Sequence, residues 1–414
     1  VLYFQVHQPK RLSKLRFFDI GAGNSSFDEQ MDRDIVRRVA RECYLPTNAL
    51  LKKIIKKFPD VRVAFSLSGV LMDQLEENAP EVLESFRQLA FTGAVEFLAE
   101  THYHSLACMM PGKELELQIL KHAEKIDEHF GVHPSVFRNT ELIYSDDIGR
   151  RISKLGFSGV MADGVEKILH GQTSNHVFEH PDQRHLKILL RNYRLSDDIA
   201  FRFSSEEKAL SAEKYLSWLD KLPASDEVVT LAMDYETFGE HQRKETGIFK
   251  FLEEFLTGIA KSKTYEMLLP SEAIEQLMPN SVLHVPNFIS WADQERDLSA
   301  WLGNEMQRDA FDSLLKLEVD VKNIDDENLL HHWRNLQTSD HFYYMSTKKG
   351  GDGVVHNYFS PYPSPYEAFI NYMNVLTDFS MRVQVLNAGK IDPVRVNENS
   401  GQPVANRMTM LATR

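Results

Sequence analysis

The chain has 414 residues, of which 43% are hydrophobic and 26% charged, a composition that describes an ordered globular protein with material for one large core and an appendage. Against 47 basic side chains stand 60 acidic ones, and the resulting net charge of -13 repels nucleic acid and anionic membrane surfaces while admitting a neutral partner such as a sugar. Two cysteines, Cys43 and Cys108, exclude a disulfide framework, no apolar run reaches membrane-spanning length and no export signal is visible, so a reduced, cytoplasmic setting is expected.

In chain order, β-rich runs fall at 1–7, 61–66, 95–98, 135–138, 159–161, 186–190 and 228–233. Between most of them lie amphipathic stretches with apolar residues three and four apart: TNALLKKIIKKF, KELELQILKHAEKIDEHF, DIGRRISKLG and EKALSAEKYLSWLDKL. Strands alternating with helices predict a parallel sheet and the α/β class. Several strands end in polar bursts, HQP, ETHYH, RNTE, ADG, RNY and DYE in turn. Loops that follow the strands of a parallel barrel open on one face, so residues 1–275 are read as a distorted (β/α)7 parallel barrel with its cleft at the carboxyl ends of the strands.

Past Pro270 helical patterns take over, in SEAIEQL, RDLSAWLGNEMQRDAFDSLLKLEVDV, DENLLHHWRNLQ and PYEAFINYMNVLTDFSMRVQVL, and residues 276–414 are expected to form a mainly helical C-terminal domain that contributes to the substrate cleft. An aromatic-rich segment, SDHFYYMSTKKGGDGVVHNYFSPYPSPY, carries too much Gly and Pro for one continuous helix. The last 25 or so residues read as a loose tail.

Three segments, FQVHQP, VFRNTELIYSDDIG and LAMDYETFGEH, resemble in order and spacing the signatures of glycoside hydrolase family 57, which includes α-amylases, 4-α-glucanotransferases and branching enzymes. GAVEFLAETHYHSL is similar to the second signature, and SWADQERDLSAWLGN with QTSDHFYYMSTK is similar to the C-terminal part of amylase-like members. The resemblance implies a (β/α)7 barrel with a helical domain closing the cleft, an α-glucan or maltooligosaccharide substrate, no cofactor and no metal. It implies Glu141 as the nucleophile and Asp234 as the acid/base.

Retaining glycoside cleavage needs two carboxyl groups roughly 5 to 5.5 Å apart, one ionised and one protonated, and the ends of the fourth and seventh strands of a small barrel can supply them. Arg138, three positions before Glu141, could keep that carboxylate charged. His7, at the end of the first strand, could bond a sugar hydroxyl, with Glu96 and His104 of the second signature and Glu236 beyond Asp234 as further substrate contacts. Among the aromatic residues Trp291, Trp301, Tyr343 and Tyr344, Trp301 is the expected platform for a sugar ring, and Asp340 and His341 are the expected polar contacts nearby.

Three alternatives stand beside α-1,4-glucan hydrolysis. Transfer to a sugar acceptor, by a 4-α-glucanotransferase or branching enzyme, would use the same intermediate. A non-catalytic glucan-binding homologue would keep the fold and lose the reaction. A metal-dependent polysaccharide deacetylase would draw on His7, His102, His104 and Asp163, although no HExxH pair occurs. Nothing in the sequence fixes an oligomeric state.

Overall fold

The computed structural model describes residues 1–204 and 209–390. Nine strands occur among them: β1 (Leu2–Val6), β2 (Val63–Leu67), β3 (Val95–Phe97), β4 (Val136–Arg138), β5 (Gly159–Asp163), β6 (Val177–Glu179), β7 (Lys187–Arg191), β8 (Leu231–Asp234) and β9 (Ser281–Val282). They form two sheets, ordered β3-β2-β1-β8 and β4-β5-β7-β6-β9. Parallel bridges join the sheets at both seams, Ala99 to Phe137 and Arg191 to Thr230. Seven parallel strands therefore close into a barrel, and these are the seven runs expected from the sequence.

The distortion has a local cause. The first three residues of β7 pair antiparallel with β6, so only Arg191, at its end, is left to meet the stretch leading into β8. β6 and β9 were not among the expected runs, being three and two residues long.

Inside the barrel, strand alternation sorts side chains into tiers. Tyr3, Ala64, Leu98, Val136, Met161, Leu189 and Ala232, one from each barrel strand or its continuation, share an apolar inner cluster with Ala273 and Ile274 of the helix Pro270–Gln276. The residues between them, such as Phe4, Phe65 and Phe97, face outward into a second cluster with the helices Leu45–Lys57 and Pro80–Ala90. Two residues beyond each inner apolar position the same inward face presents Gln5, Ser66, Glu100, Arg138, Asp163, Arg191 and Asp234. An apolar floor thus carries a polar tier, and the cleft opens above it.

The amphipathic stretches fold as helices close to their expected places, including Glu114–Phe130 and Asp146–Lys154. The stretch expected at 207–222 forms Ala212–Leu219, and its first two positions lie outside the described residues. The long pattern at 296–321 is not one helix but three, Ser299–Leu302, Glu305–Leu315 and Glu318–Ile324. Its first break falls at Gly303, after which Asn304 caps the next helix by accepting from the Gln307 amide. The aromatic-rich segment divides into Ser339–Tyr343 and Gly350–Phe359.

The C-terminal helices share a core with the barrel: Phe137, Val160 and Ile188 lie in one cluster with Phe311, Trp333, Tyr372 and Phe379. Strand pairing with the barrel runs on through β9 and the Tyr144–Ile289 bridge. The final helix, Pro365–Lys390, is long, but among the described residues no helix is long and apolar enough to cross a membrane. The expected tail lies outside the described residues from position 391 onward.

Candidate active site

A cleft of about 740 Å³ opens at the carboxyl ends of the barrel strands. Its lining includes His7, His104, Glu141, Asp234, Glu236, Trp291 and Asp340, so residues from both the barrel and the helical region meet there.

Glu141 lies in a short turn, Thr140–Leu142, that follows β4 directly. Its backbone is left-handed, with φ 58° and ψ 22°, and Leu142 follows at φ 50°. A non-glycine residue held there costs on the order of 1–3 kcal/mol, so the surroundings must impose it. Leu142 is buried in the inner apolar cluster, and the Trp291 amide donates to the Glu141 carbonyl at 3.2 Å. Together these contacts turn the side chain into the cleft.

Each oxygen of that carboxylate is engaged. Ser339 Oγ donates to Oε1 at 2.8 Å, His104 Nε2 stands 3.6 Å from the same oxygen, and Trp291 Nε1 donates to Oε2 at 2.7 Å. Burial pushes this carboxyl up, but the close imidazole of His104 and its charge, aided by Arg138 and opposed by Asp340, hold it below its ordinary value. Asp234 presents the contrary case. Among the described residues no hydrogen bond or ion pair reaches its carboxyl, and burial, followed by the negative charge of Glu141, pushes it up to about 6 against Arg138, His104 and Arg191.

Around these two stand groups already bonded to one another. The His7 and His104 rings stack at 3.9 Å. His7 joins Ser68 Oγ at 2.7 Å and Asp340 Oδ2 at 3.0 Å, and burial together with the charge of His104 lowers its pKa. His104 Nδ1 meets Glu100 Oε2 at 2.8 Å; burial alone would lower this imidazole, yet its bond to Glu100 and the nearby Glu141 carboxylate raise it to about 9. Glu236 accepts from the His7 amide at 3.2 Å and from the Tyr44 hydroxyl, and burial, with Asp234 beside it, pushes it up to about 8.

The cleft thus brings together Glu141, Asp234, His7, His104, Glu236 and Asp340. It does not hold the other four expected contacts. Glu96 faces inward like Glu100, but two tiers lower, on the far side of Leu98; its carboxylate accepts from Ser271 N and Oγ, both at 2.9 Å, at the start of the helix that closes the barrel floor, and burial pushes it up to about 7.

Arg138 is fully buried beneath Trp291, its guanidinium 4.9 Å from the ring centroid, and reaches Glu141 only through its field. Trp301 is completely buried in the helical core. His341 is buried as well and turns into a separate small crevice with Pro9, Arg11 and Tyr362, where burial lowers it to about 4.

Trp291, Ser339 and Tyr343 are the residues that matter more here than their sequence suggested. Trp291 sits in the same SWAD segment that drew notice, and Ser339 immediately precedes Asp340. The alternative metal set is not assembled either. His102 turns away to Asp73 at 3.2 Å, and Asp163 is taken up by Arg191 and Arg296 at 3.3 and 2.6 Å.

Acidic side chains in two electrostatic states, facing one cleft at the carboxyl ends of parallel barrel strands, define an enzyme of the barrel hydrolase class. The chain belongs to glycosyl hydrolase family 57, whose family model matches residues 1–286. It is 40% identical to the "Putative alpha-amylase" of Methanocaldococcus jannaschii over 93% of this chain and 85% of that protein. It is 22% identical to an alpha-amylase of Pyrococcus abyssi over 60% of this chain, a match that spans only 38% of that longer protein. In fold it is similar to a branching enzyme of Thermococcus kodakaraensis, at TM-score 0.65 and 14% identity over 86% of each chain. A 4-alpha-glucanotransferase of Thermococcus litoralis matches at TM-score 0.63 and 17% identity, over 83% of this chain and 55% of that one.

Proposed function

We propose that this enzyme hydrolyses α-1,4-glucans with retention of configuration, with Glu141 as nucleophile and Asp234 as acid/base. The observation that carries the reading is the opposed state of the two carboxyls in one cleft: Glu141 is ringed by donors and held below its ordinary value, while the Asp234 carboxyl has no bonded partner among the described residues and is pushed up to about 6.

In the first step the Glu141 carboxylate attacks the anomeric carbon as Asp234 gives its proton to the departing glycosidic oxygen, leaving a glycosyl ester on Glu141. In the second step the Asp234 carboxylate takes a proton from water, whose oxygen attacks the same carbon and releases Glu141. His7, Glu236 and Asp340 line the same space and can bond sugar hydroxyls. Trp291 and Tyr343 offer ring faces there in place of the buried Trp301.

Hydrolysis is preferred to transfer because the relative aligned along most of this chain carries an amylase name. Storage glucans such as starch or glycogen are the corresponding natural substrates. Two buried free thiols, Cys43 and Cys108, suit a reducing cytoplasm.

The test is incubation with an end-labelled maltooligosaccharide, with and without chelator. Shortened products indifferent to chelator are expected. Lengthened products would replace hydrolysis by transfer, binding without conversion would make the chain a glucan-binding protein, and chelator-sensitive release of acetate from an acetylated polymer would make it a deacetylase.

A further inference from the structure

We propose that Glu100 is a positioning residue that fixes His104 as a two-sided proton donor aimed at Glu141, so that a buried carboxylate outside the cleft sets the charge state of the carboxylate inside it. The proposal deepens the reading of Glu141 as nucleophile and rests on it.

Glu100 is completely buried and has no place in the cleft lining. An ionised carboxylate in such a position is costly unless it is hydrogen-bonded and faces a positive charge. Here three donors bond it and a guanidinium stands close by. Gln5 Nε2 and Ser66 Oγ donate to Oε1 at 3.0 and 2.8 Å, and His104 Nδ1 meets Oε2 at 2.8 Å. Arg138 Nη1 stands 3.9 Å from the same Oε2, and none of its guanidinium nitrogens has a hydrogen-bond partner among the described residues, so the permanent charge acts there through space. On the neighbouring helix His122 takes the Glu100 amide on Nδ1 and gives its Nε2 proton to the Leu67 carbonyl; it is neutral, held down to about 4 by burial.

Two of these partners reach the cleft: Gln5 lines it, and His104 carries the contact on to Glu141. The His104 backbone is left-handed, φ 47°, and its carbonyl accepts from the Ser339 amide at 3.0 Å, the same serine whose hydroxyl bonds Glu141. With Nδ1 committed to Glu100, Nε2 points at Glu141 Oε1 across 3.6 Å. The other titratable groups around it are His7, stacked on its face with its pKa lowered, Asp340, bonded to His7, and Asp234, which feels its charge. An imidazole between two carboxylates carries both protons; remove the buried carboxylate and it loses the partner that keeps it charged.

The consequence is a matched nucleophile. A cation facing Glu141 keeps it ionised before attack and favours its departure as a carboxylate when the glycosyl ester is hydrolysed.

The deciding experiment is a 15N NMR titration of the His104 ring in the wild-type enzyme and in Glu100→Gln, beside the pH profile of kcat/KM. Wild-type His104 is expected to show both nitrogens protonated up to about pH 9. In Glu100→Gln it should be neutral at pH 7, and the acid limb of kcat/KM, which reports Glu141, should move up by about one pH unit. His104→Gln should give the same limb shift, and the double variant no more than His104→Gln alone.

A neutral His104 in the wild type at pH 7 would overturn the proposal, even if Glu100→Gln did not fold. So would a Glu100→Gln enzyme with lower kcat and an unmoved acid limb, the mark of a structural role. The titration is independent of turnover: a cationic His104 that becomes neutral in Glu100→Gln, with activity that survives Glu141→Gln, would leave the buried pair standing and remove only the assignment of Glu141 as nucleophile.

Discussion

The two walls of the cleft treat the same functional group in opposite ways. On the wall that follows β4, the helical region reaches over to hold Glu141 with Trp291 and Ser339, the barrel adds His104, and the backbone is turned left-handed to make those contacts. On the wall that ends β8, Asp234 closes an ordinary strand, and among the described residues nothing bonds its carboxyl. Burial alone would push both carboxyls up; donors on one side and their absence on the other separate them. What the contrast teaches is that the acid needs no apparatus, only a dry place beside a negative charge, whereas the ionised partner must be built from three parts of the chain.

Substitution breaks the contrast most severely at Glu141. Glu141→Gln keeps the shape and the bonded position but not the charge, so kcat should fall by roughly 10⁴-fold or more while maltooligosaccharide binding, measured by calorimetry, persists. Asp234→Asn should cost on the order of 10²–10⁴-fold on maltooligosaccharides and much less on α-glucosyl fluoride, whose leaving group needs no proton, and comparing the two substrates checks the role.

Trp291→Phe keeps a ring and removes one donor. A hydrogen bond to a charged group amounts to about 1.5–3 kcal/mol, so kcat/KM should drop roughly 10- to 100-fold and its acid limb should rise. In the wild type that profile should fall off on the alkaline side near pH 6, where Asp234 loses its proton, and on the acid side below the ordinary value of a glutamate, where Glu141 gains one.

The smallest effect is expected on the barrel floor, where the folded pKa of Glu96 is raised to about 7 from 4.5. Its ionisation therefore opposes folding as pH rises from the lower value through the upper, and Glu96→Gln should gain on the order of 1 kcal/mol of stability at pH 8 with unchanged activity. Loss of sugar binding in that variant would return Glu96 to the cleft.

Periodicity made the barrel legible: seven runs, apolar through their length and polar at one end, are the seven strands that close it. It did not reveal β6 and β9, because two or three residues carry no period, and it overran Gly303, where a cap interrupts an otherwise helical pattern. The second signature pointed to Glu96 as a substrate contact but could not say which tier of the barrel the cleft reaches. Trp301 and Trp291 are equally aromatic in sequence; only packing buries the first and lays the second over Arg138. The left-handed turn at Glu141 has no glycine to announce it, since it is held by the burial of Leu142 in the barrel interior and by the amide of the sequence-distant Trp291.

The central claim, two carboxyls in opposite states acting in sequence on one anomeric carbon, is tested most directly by the stereochemistry of the first product. Proton NMR of a maltooligosaccharide digest in its first minutes should show the α-anomer of the new reducing end, with the β-anomer growing in only at the rate of mutarotation. Initial release of the β-anomer would contradict the double displacement and would take from Glu141 the role of nucleophile.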